Sequence, residues 1–214
     1  MKKIKEIYKE YNIMPNLAEH QMRVAAVAMQ ISDSLDFKLD KESLILSCLF
    51  HDMGNIIKFN LNYFPKHNEP EDIDYWQKVK DSFIIKYGHN EHKASKEISK
   101  EIGLSSNIIE IIDSIDPKNI EKLAIGDDFV KKICIYADNR VTPFGVVSAE
   151  ERSLEAKERY KNHPHAFGED ERSVFMENLL LIEKQIFSHS NIKSENINNN
   201  SIEKYLEKLE DFSI

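Results

Sequence analysis

Cysteine, glycine and proline are scarce in this chain, and there is no excess of positive charge. Its 214 residues include 2 cysteines, 6 glycines and 6 prolines. Cys48 and Cys134 stand far apart and form no C-x-x-C pair, which excludes a disulfide framework and fits a reducing, cytoplasmic compartment. Because 29 basic residues face 37 acidic ones, for a net charge of −8, we expect no binding to nucleic acid. The negative net charge does not exclude a small phosphate ligand, because the local charge of the binding site decides whether such a ligand binds.

Long hydrophobic runs are missing as well. No segment approaches the roughly 18 uncharged apolar residues of a membrane-spanning helix. The charged N-terminus is not followed by the apolar run of a signal peptide. We therefore expect no membrane partner. With 41% hydrophobic and 31% charged residues, the composition is that of a soluble globular domain with, at most, a small appendage.

Helical periodicity dominates what is present. The few glycines and prolines fall between periodic segments, and no segment alternates in the manner of a β-strand. The sequence therefore predicts an all-α fold, a bundle of helices joined by short loops. Residues 55–71, rich in aromatics and interrupted by two prolines, are predicted to form a long loop of the kind that often acts as a lid. The expected helices cover residues 2–11, 17–36, 41–52, 72–87, 90–102, 106–115, 128–141, 149–162 and 171–187.

Capping signals mark the starts of several predicted helices. Asn16 followed by Glu19 has the spacing of a capping arrangement, in which each side chain binds a backbone N–H of the first turn. Asp40 and Asp127 precede two further helices, and aspartate is among the preferred N-cap residues. We expect these three positions to begin helices.

The composition changes near the C-terminus. Residues 188–200 are rich in serine and asparagine and are predicted to be a flexible linker. A short amphipathic helix is expected after them. The chain is accordingly divided into a helical domain over residues 1–187, a linker over 188–200 and a C-terminal helix over 201–214.

The adjacent pair His51 and Asp52 is the first candidate for chemistry. It follows an apolar run, and consecutive helical residues point about 100° apart, so both side chains reach one point only near a helix end. A divalent metal at that point accepts ligands from several directions, and imidazole with carboxylate suits Zn, Fe, Mn, Co or Ni. A surface or capping pair is the alternative interpretation.

Two further residues lie within apolar helical segments. His20 stands beside an apolar face, where a satisfied core histidine is the ordinary interpretation. Asp138 lies inside another apolar helix, and a buried carboxylate without a partner is costly, so it requires a partner or a metal. Each residue alone is weak evidence for a site.

Taken in order, His20, His51, Asp52 and Asp138 resemble the signature of the HD-domain superfamily of metal-dependent phosphohydrolases. Their local sequences, HQMRVA, LFHDMG and YADNRV, are similar to the motifs of that family. The resemblance extends over about residues 15–160. The central motif often continues with lysine after its glycine, whereas here it has Asn55, and Lys58 one turn later is the candidate substitute.

The resemblance implies an HD-domain-like helical bundle and a metal-dependent enzyme. His20, His51, Asp52 and Asp138 would hold a divalent metal, which can be Mn, Fe, Co, Ni, Mg or Zn. The implied reaction is hydrolysis of a phosphate ester, and the implied substrate is a nucleotide or another small phosphorylated metabolite. Asp52 would also take part in catalysis.

A second histidine pair, His89 and His92, opens the helix predicted at 90–102. Some HD-domain enzymes carry an additional histidine there, which supports a second metal or contacts the phosphate, so both residues are candidate catalytic groups. Two solvent-exposed histidines are the alternative. Residues 106–120 contain no histidine, so we expect one metal site. The sequence does not decide whether a second metal binds.

Three residues are candidates for substrate binding. Arg23 is expected beside His20, where its planar fork can bind a phosphate through two hydrogen bonds. Lys58 and His67, in the long loop, are the other two. Two other functions stay open: a metal- and nucleotide-binding regulatory module with little or no turnover, and a helical interaction protein. No motif specifies the exact substrate or the oligomeric state.

Overall fold

The computed structural model describes residues 2–63, 68–161 and 166–214. Within them the chain forms eleven α-helices and one two-stranded hairpin, which confirms the all-α prediction. None of these helices combines the length and the apolar composition needed to cross a bilayer. The helices are α1 (Ile4–Glu10), α2 (Pro15–Ser34), α3 (Lys41–Phe50), α4 (Ile73–Tyr87), α5 (Glu91–Ile102), α6 (Ser106–Ser114), α7 (Ile120–Ile125), α8 (Phe129–Asp138), α9 (Ala149–Tyr160), α10 (Glu169–Ser188) and α11 (Asn199–Glu210).

Helix α2 lies at the centre of the bundle. Its run of small residues from Val24 to Ala28 is almost completely buried, which allows neighbouring helices to approach closely. Helices α3, α8 and α11 pack against it. Since α3 and α8 also pack against each other, three helices that carry candidate ligands share one part of the core.

The start of α2 differs from the prediction. The helix begins at Pro15 with Met14 as its N-cap, and no side chain caps it. Proline suits the first helical position because its φ angle is already helical and it needs no partner for a backbone N–H. Asn16 therefore lies inside the first turn, and the predicted capping role is wrong. Glu19 instead forms an ion pair with Arg23.

Helix α8 is shorter at both ends than expected. Its N-cap is Asp128 rather than Asp127, and the Asp128 carboxylate accepts a hydrogen bond from Lys131 N at 3.2 Å. The helix ends at Asp138, after which strands β1 (Val141–Thr142) and β2 (Gly145–Val146) form a hairpin around Pro143. The Asn139 side-chain amide donates a hydrogen bond to Ile135 O at 2.9 Å, which satisfies a carbonyl of the last turn and suits an end at this point. By contrast, Asp40 caps α3 as predicted.

The segment predicted as a long loop begins with a buried 3-10 turn over Asn55–Lys58. This turn packs against α4 and α5. Residues 64–67, which include the candidate His67, lie outside the described part of the chain.

The C-terminal segments contact the bundle. Ser190 pairs with Leu35 in an isolated β-bridge, and Ile197 is 2% exposed. Helix α11 buries Ile202, Tyr205 and Leu209. The division into a domain, a linker and a terminal helix stays a prediction.

Gly54 allows the turn after α3 to touch α5. A Cβ atom at this position would meet Glu91 O, would lie 2.6 Å from Ala94 Cβ and 2.9 Å from Ser95 N, and so would overlap backbone atoms. Gly54→Ala is expected to lower the free energy of unfolding by about 2–3 kcal/mol, as overpacking of a core does. Urea denaturation measures this value.

Gly168→Ala is the matched control. Among the described residues, its added Cβ would meet only the Glu171 carboxylate, at 3.8 Å, so we expect a cost below about 1 kcal/mol. Equal losses for the two variants would contradict the close approach at Gly54.

Candidate metal centre

Four side chains meet where the ends of three helices converge. His20 comes from α2, Asp138 is the last residue of α8, and His51 and Asp52 follow directly after α3. One potential ligand atom from each residue lies within 4.8 Å of all the others. The structure therefore brings together the four residues that the sequence singled out.

The distances within this cluster are short. His20 Nε2 lies 3.0 Å from Asp138 Oδ1 and 3.7 Å from Asp52 Oδ2. His51 Nε2 lies 3.5 Å from the same oxygen of each aspartate. Both imidazoles thus direct a ring nitrogen at both carboxylates.

A backbone contact sets the orientation of the His51 ring. His51 Nδ1 lies 2.8 Å from Cys48 O, and because a carbonyl oxygen only accepts, Nδ1–H is the donor. In the neutral ring, Nε2 then carries the free lone pair. Nε2 is buried and has no hydrogen-bond partner among the residues that the structure describes. A buried nitrogen in this state is suited to a metal ion, with the carbonyl as the outer partner that orients the ligand.

A glutamine supports the turn that carries Asp52. The Gln21 side chain is fully buried, and its Oε1 accepts a hydrogen bond from Asp52 N at 3.3 Å. Gln21 follows His20 in α2, so one helix supplies a candidate ligand and also holds the backbone beside another.

Opposite charges compensate one another in the cluster. Burial lowers the pKa of His51, but the carboxylates of Asp52 and Asp138 outweigh it and raise this pKa to about 10. Burial raises the pKa of Asp138, whereas the hydrogen bond from His20 and the charge of nearby His51 hold it well below its usual range. The two carboxylates therefore favour a positive charge at this point.

Two imidazole nitrogens and two carboxylate oxygens make a suitable donor set for a divalent transition metal. Together with the unpartnered Nε2 of His51, the residues present fit such an ion. A mixed set of this kind accepts several ions, so the donor types do not select one metal.

The cluster opens into a cavity of about 780 Å³. Ligand sites for small molecules span about 300–1,000 Å³, so this cavity exceeds what a metal ion needs. His89, His92 and Lys58 also line it.

The second histidine pair lines the same cavity but does not belong to the group of four. His92 Nε2 is 3.8 Å from Glu91 Oε1 and 3.9 Å from Asp116 Oδ2. His89 is an exposed residue just before α5. Their catalytic roles stay predictions.

The structure places the candidate substrate-binding residues Lys58 and Arg23 in different locations. Lys58 lines the cavity with its Nζ atom 3.7 Å from Glu91 Oε1. Burial lowers the pKa of Lys58, but the negative charge of Asp52 is the largest of several contributions that raise it, so the amine stays protonated.

Arg23 does not line the cavity and pairs with Glu19 instead. Residues three apart on a helix differ in direction by about 60°, enough here to separate it from His20. The structure thus does not bring Arg23 into the site.

Sequence reasoning missed the arginines of α9 and α10. Arg159 lines the cavity, and its guanidinium is held by Glu155 through contacts of 2.7 and 3.1 Å. It also lies over the Tyr160 ring, 4.5 Å from the centroid. Burial lowers the pKa of Arg159, but neighbouring groups, among them Asp138, raise it. The Glu155–Arg159 spacing is visible in the sequence, but nothing there shows that it faces the cluster.

Comparison with known proteins identifies one family. Residues 17–118 match the family model of the HD domain. The match includes His20, His51 and Asp52, whereas Asp138 lies beyond it and joins the cluster through α8. No curated protein and no solved structure matches the chain significantly.

Asp138→Asn tests the metal centre. The amide keeps the shape of the side chain but removes the charge, so the affinity for Mn²⁺ is expected to fall at least about tenfold. Calorimetric titration and elemental analysis of the purified protein measure this loss.

The matched control is Asp113→Asn. Asp113 forms a surface ion pair with Lys96 at 2.9 Å, away from the cluster, so its variant should bind the metal like the wild type. Unchanged affinity in Asp138→Asn would show that this carboxylate is not a ligand.

Proposed function

Because residues 17–118 match the family model of the HD domain, we propose that the chain is a metal-dependent phosphohydrolase that cleaves a phosphate ester of a nucleotide or a small phosphorylated metabolite. The supporting observation is the buried, unpartnered Nε2 of His51 beside a second imidazole and two carboxylates. A buried imidazole nitrogen without a partner is costly, and a bound cation would supply that partner. The adjoining cavity has room for an organic substrate.

In this proposal His20, His51, Asp52 and Asp138 hold the metal. When bound, a divalent metal would lower the pKa of a coordinated water towards neutrality and withdraw charge from phosphoryl oxygens. The outer contacts of Cys48 O and Gln21 keep two ligands in place, so little reorganisation is required during the reaction.

Lys58 and Arg159 are the proposed phosphate-binding residues. Both line the cavity, and the pKa of each is raised in part by the carboxylate of Asp138. Arg159 is already oriented by Glu155, so it loses little side-chain entropy when it binds an anion. Positive charge placed in advance stabilises the charge that develops during phosphoryl transfer.

His89 and His92 are the proposed groups for proton transfer to the leaving oxygen. Both line the cavity that contains the cluster. His92 Nε2 lies 3.8 Å from Glu91 Oε1 and 3.9 Å from Asp116 Oδ2. An imidazolium can donate a proton near neutral pH.

The reaction can be tested directly. The purified protein is offered p-nitrophenyl phosphate and a panel of nucleotides with Mn, Fe, Co, Ni, Mg or Zn, and phosphate release is measured. Wild-type protein is expected to hydrolyse at least one substrate, and Asp52→Ala to lose both bound metal and turnover. Normal hydrolysis by this variant would refute the site, and tight nucleotide binding without turnover in any metal would favour a regulatory module.

Arg159→Gln tests the phosphate contact. Loss of a charge-assisted hydrogen bond is expected to lower kcat/KM about tenfold or more. Arg23→Gln removes the same charge outside the cavity and should change kcat/KM less than about twofold. Steady-state kinetics on the substrate that is hydrolysed fastest measures kcat/KM for both variants. Equal effects of the two substitutions would contradict the assignment of Arg159.

A further inference from the structure

Arg172 is the cavity residue that the metal centre leaves unexplained. It lies in the first turn of α10 and lines the cavity. Its Nε atom is buried and has no hydrogen-bond partner in the described part of the chain. One contact is present, from Arg172 Nη2 to Phe167 O at 3.3 Å. A buried guanidinium N–H without an acceptor is costly, which points to an acceptor that arrives with a ligand.

The other arginines differ from Arg172. Arg23 pairs with Glu19, and Arg152 and Arg159 both pair with Glu155. Arg140 donates hydrogen bonds to the Tyr136 hydroxyl and to several backbone carbonyls. Among the described residues, Arg172 is the arginine with an unused buried donor.

Two carboxylates close in sequence to Arg172 have other hydrogen-bond partners. Glu169 Oε1 lies 2.7 Å from Lys157 Nζ. Glu171 Oε2 accepts a hydrogen bond from Gly168 N at 2.9 Å and so caps the N-terminus of α10. Neither of these hydrogen bonds involves Arg172, whose Nε donor stays unused among the described residues.

Aromatic side chains surround this part of the cavity. Phe167 and Phe175 both line it, and their ring centroids are 5.8 Å apart. Apolar walls lower the local dielectric, which strengthens the attraction between a guanidinium and an anion.

We propose that Arg172 is a second anion-binding subsite, which binds a phosphate group other than the one that is cleaved. The metal ligands come from α2, α8 and the turn after α3, whereas Arg172 comes from α10, so different walls hold the two groups. The guanidinium fork matches a phosphate. The inference rests on the proposed function and narrows its substrate class to esters with two separate phosphate groups.

The test compares two ligands that differ by one phosphate. The Mn²⁺-loaded protein is titrated calorimetrically with adenosine 5′-monophosphate and with adenosine 3′,5′-bisphosphate. The wild type is expected to bind the bisphosphate more tightly. Arg172→Gln should reduce this preference about tenfold, the effect of one lost charge-assisted hydrogen bond, while Arg172→Lys should retain part of it.

Lys184→Gln is the matched control, because it removes one positive charge from an exposed position of the same helix. It should keep the wild-type preference. A wild type without the preference, or an unchanged preference in Arg172→Gln with normal metal content and thermal unfolding, overturns the inference. The proposed function fails separately, if no phosphate ester is hydrolysed with any metal.

Discussion

The carboxylate of Asp138, shared between the imidazoles of His20 and His51, is the contact on which the rest of the structure depends. Its oxygen lies 3.0 Å from one ring nitrogen and 3.5 Å from the other. A buried carboxylate is tolerated only with such partners. Helices α2, α3 and α8 therefore have to pack so that His20, His51 and Asp138 lie within contact distance of one another. The small residues of α2 allow this close approach.

The same convergence organises the surrounding cavity. Because Gly54 permits the turn after α3 to touch α5, the start of α5 with His92 lies along the cavity that contains Asp52. The early end of α8 sends the chain into the hairpin and then into α9, which adds Arg159 to the cavity lining. A site for a cation and a wall with positive charge are thus adjacent in a protein whose net charge is −8. That arrangement suits an anion bridging a metal and basic side chains.

Much of the fold was accessible from the sequence because helix formation is largely local. The periodicity, the Asp40 cap and the scarcity of glycine and proline led to the correct fold class and to most helices. Errors arose at helix ends: Pro15 displaced the expected cap at Asn16, and the hairpin that starts at Val141 replaced the expected last residues of α8.

What the sequence by itself determined about this protein is the fold class and the identity of the four clustered residues, because apolar periodicity and an ordered His, His-Asp, Asp pattern are properties of the chain alone. Only the tertiary structure decided which basic residues face the cluster. It placed Arg159 and Arg172 in the cavity and left Arg23 outside it. The physical reason is that the direction of a side chain depends on how a helix is rotated against its neighbours, and that rotation is set by packing over the whole core.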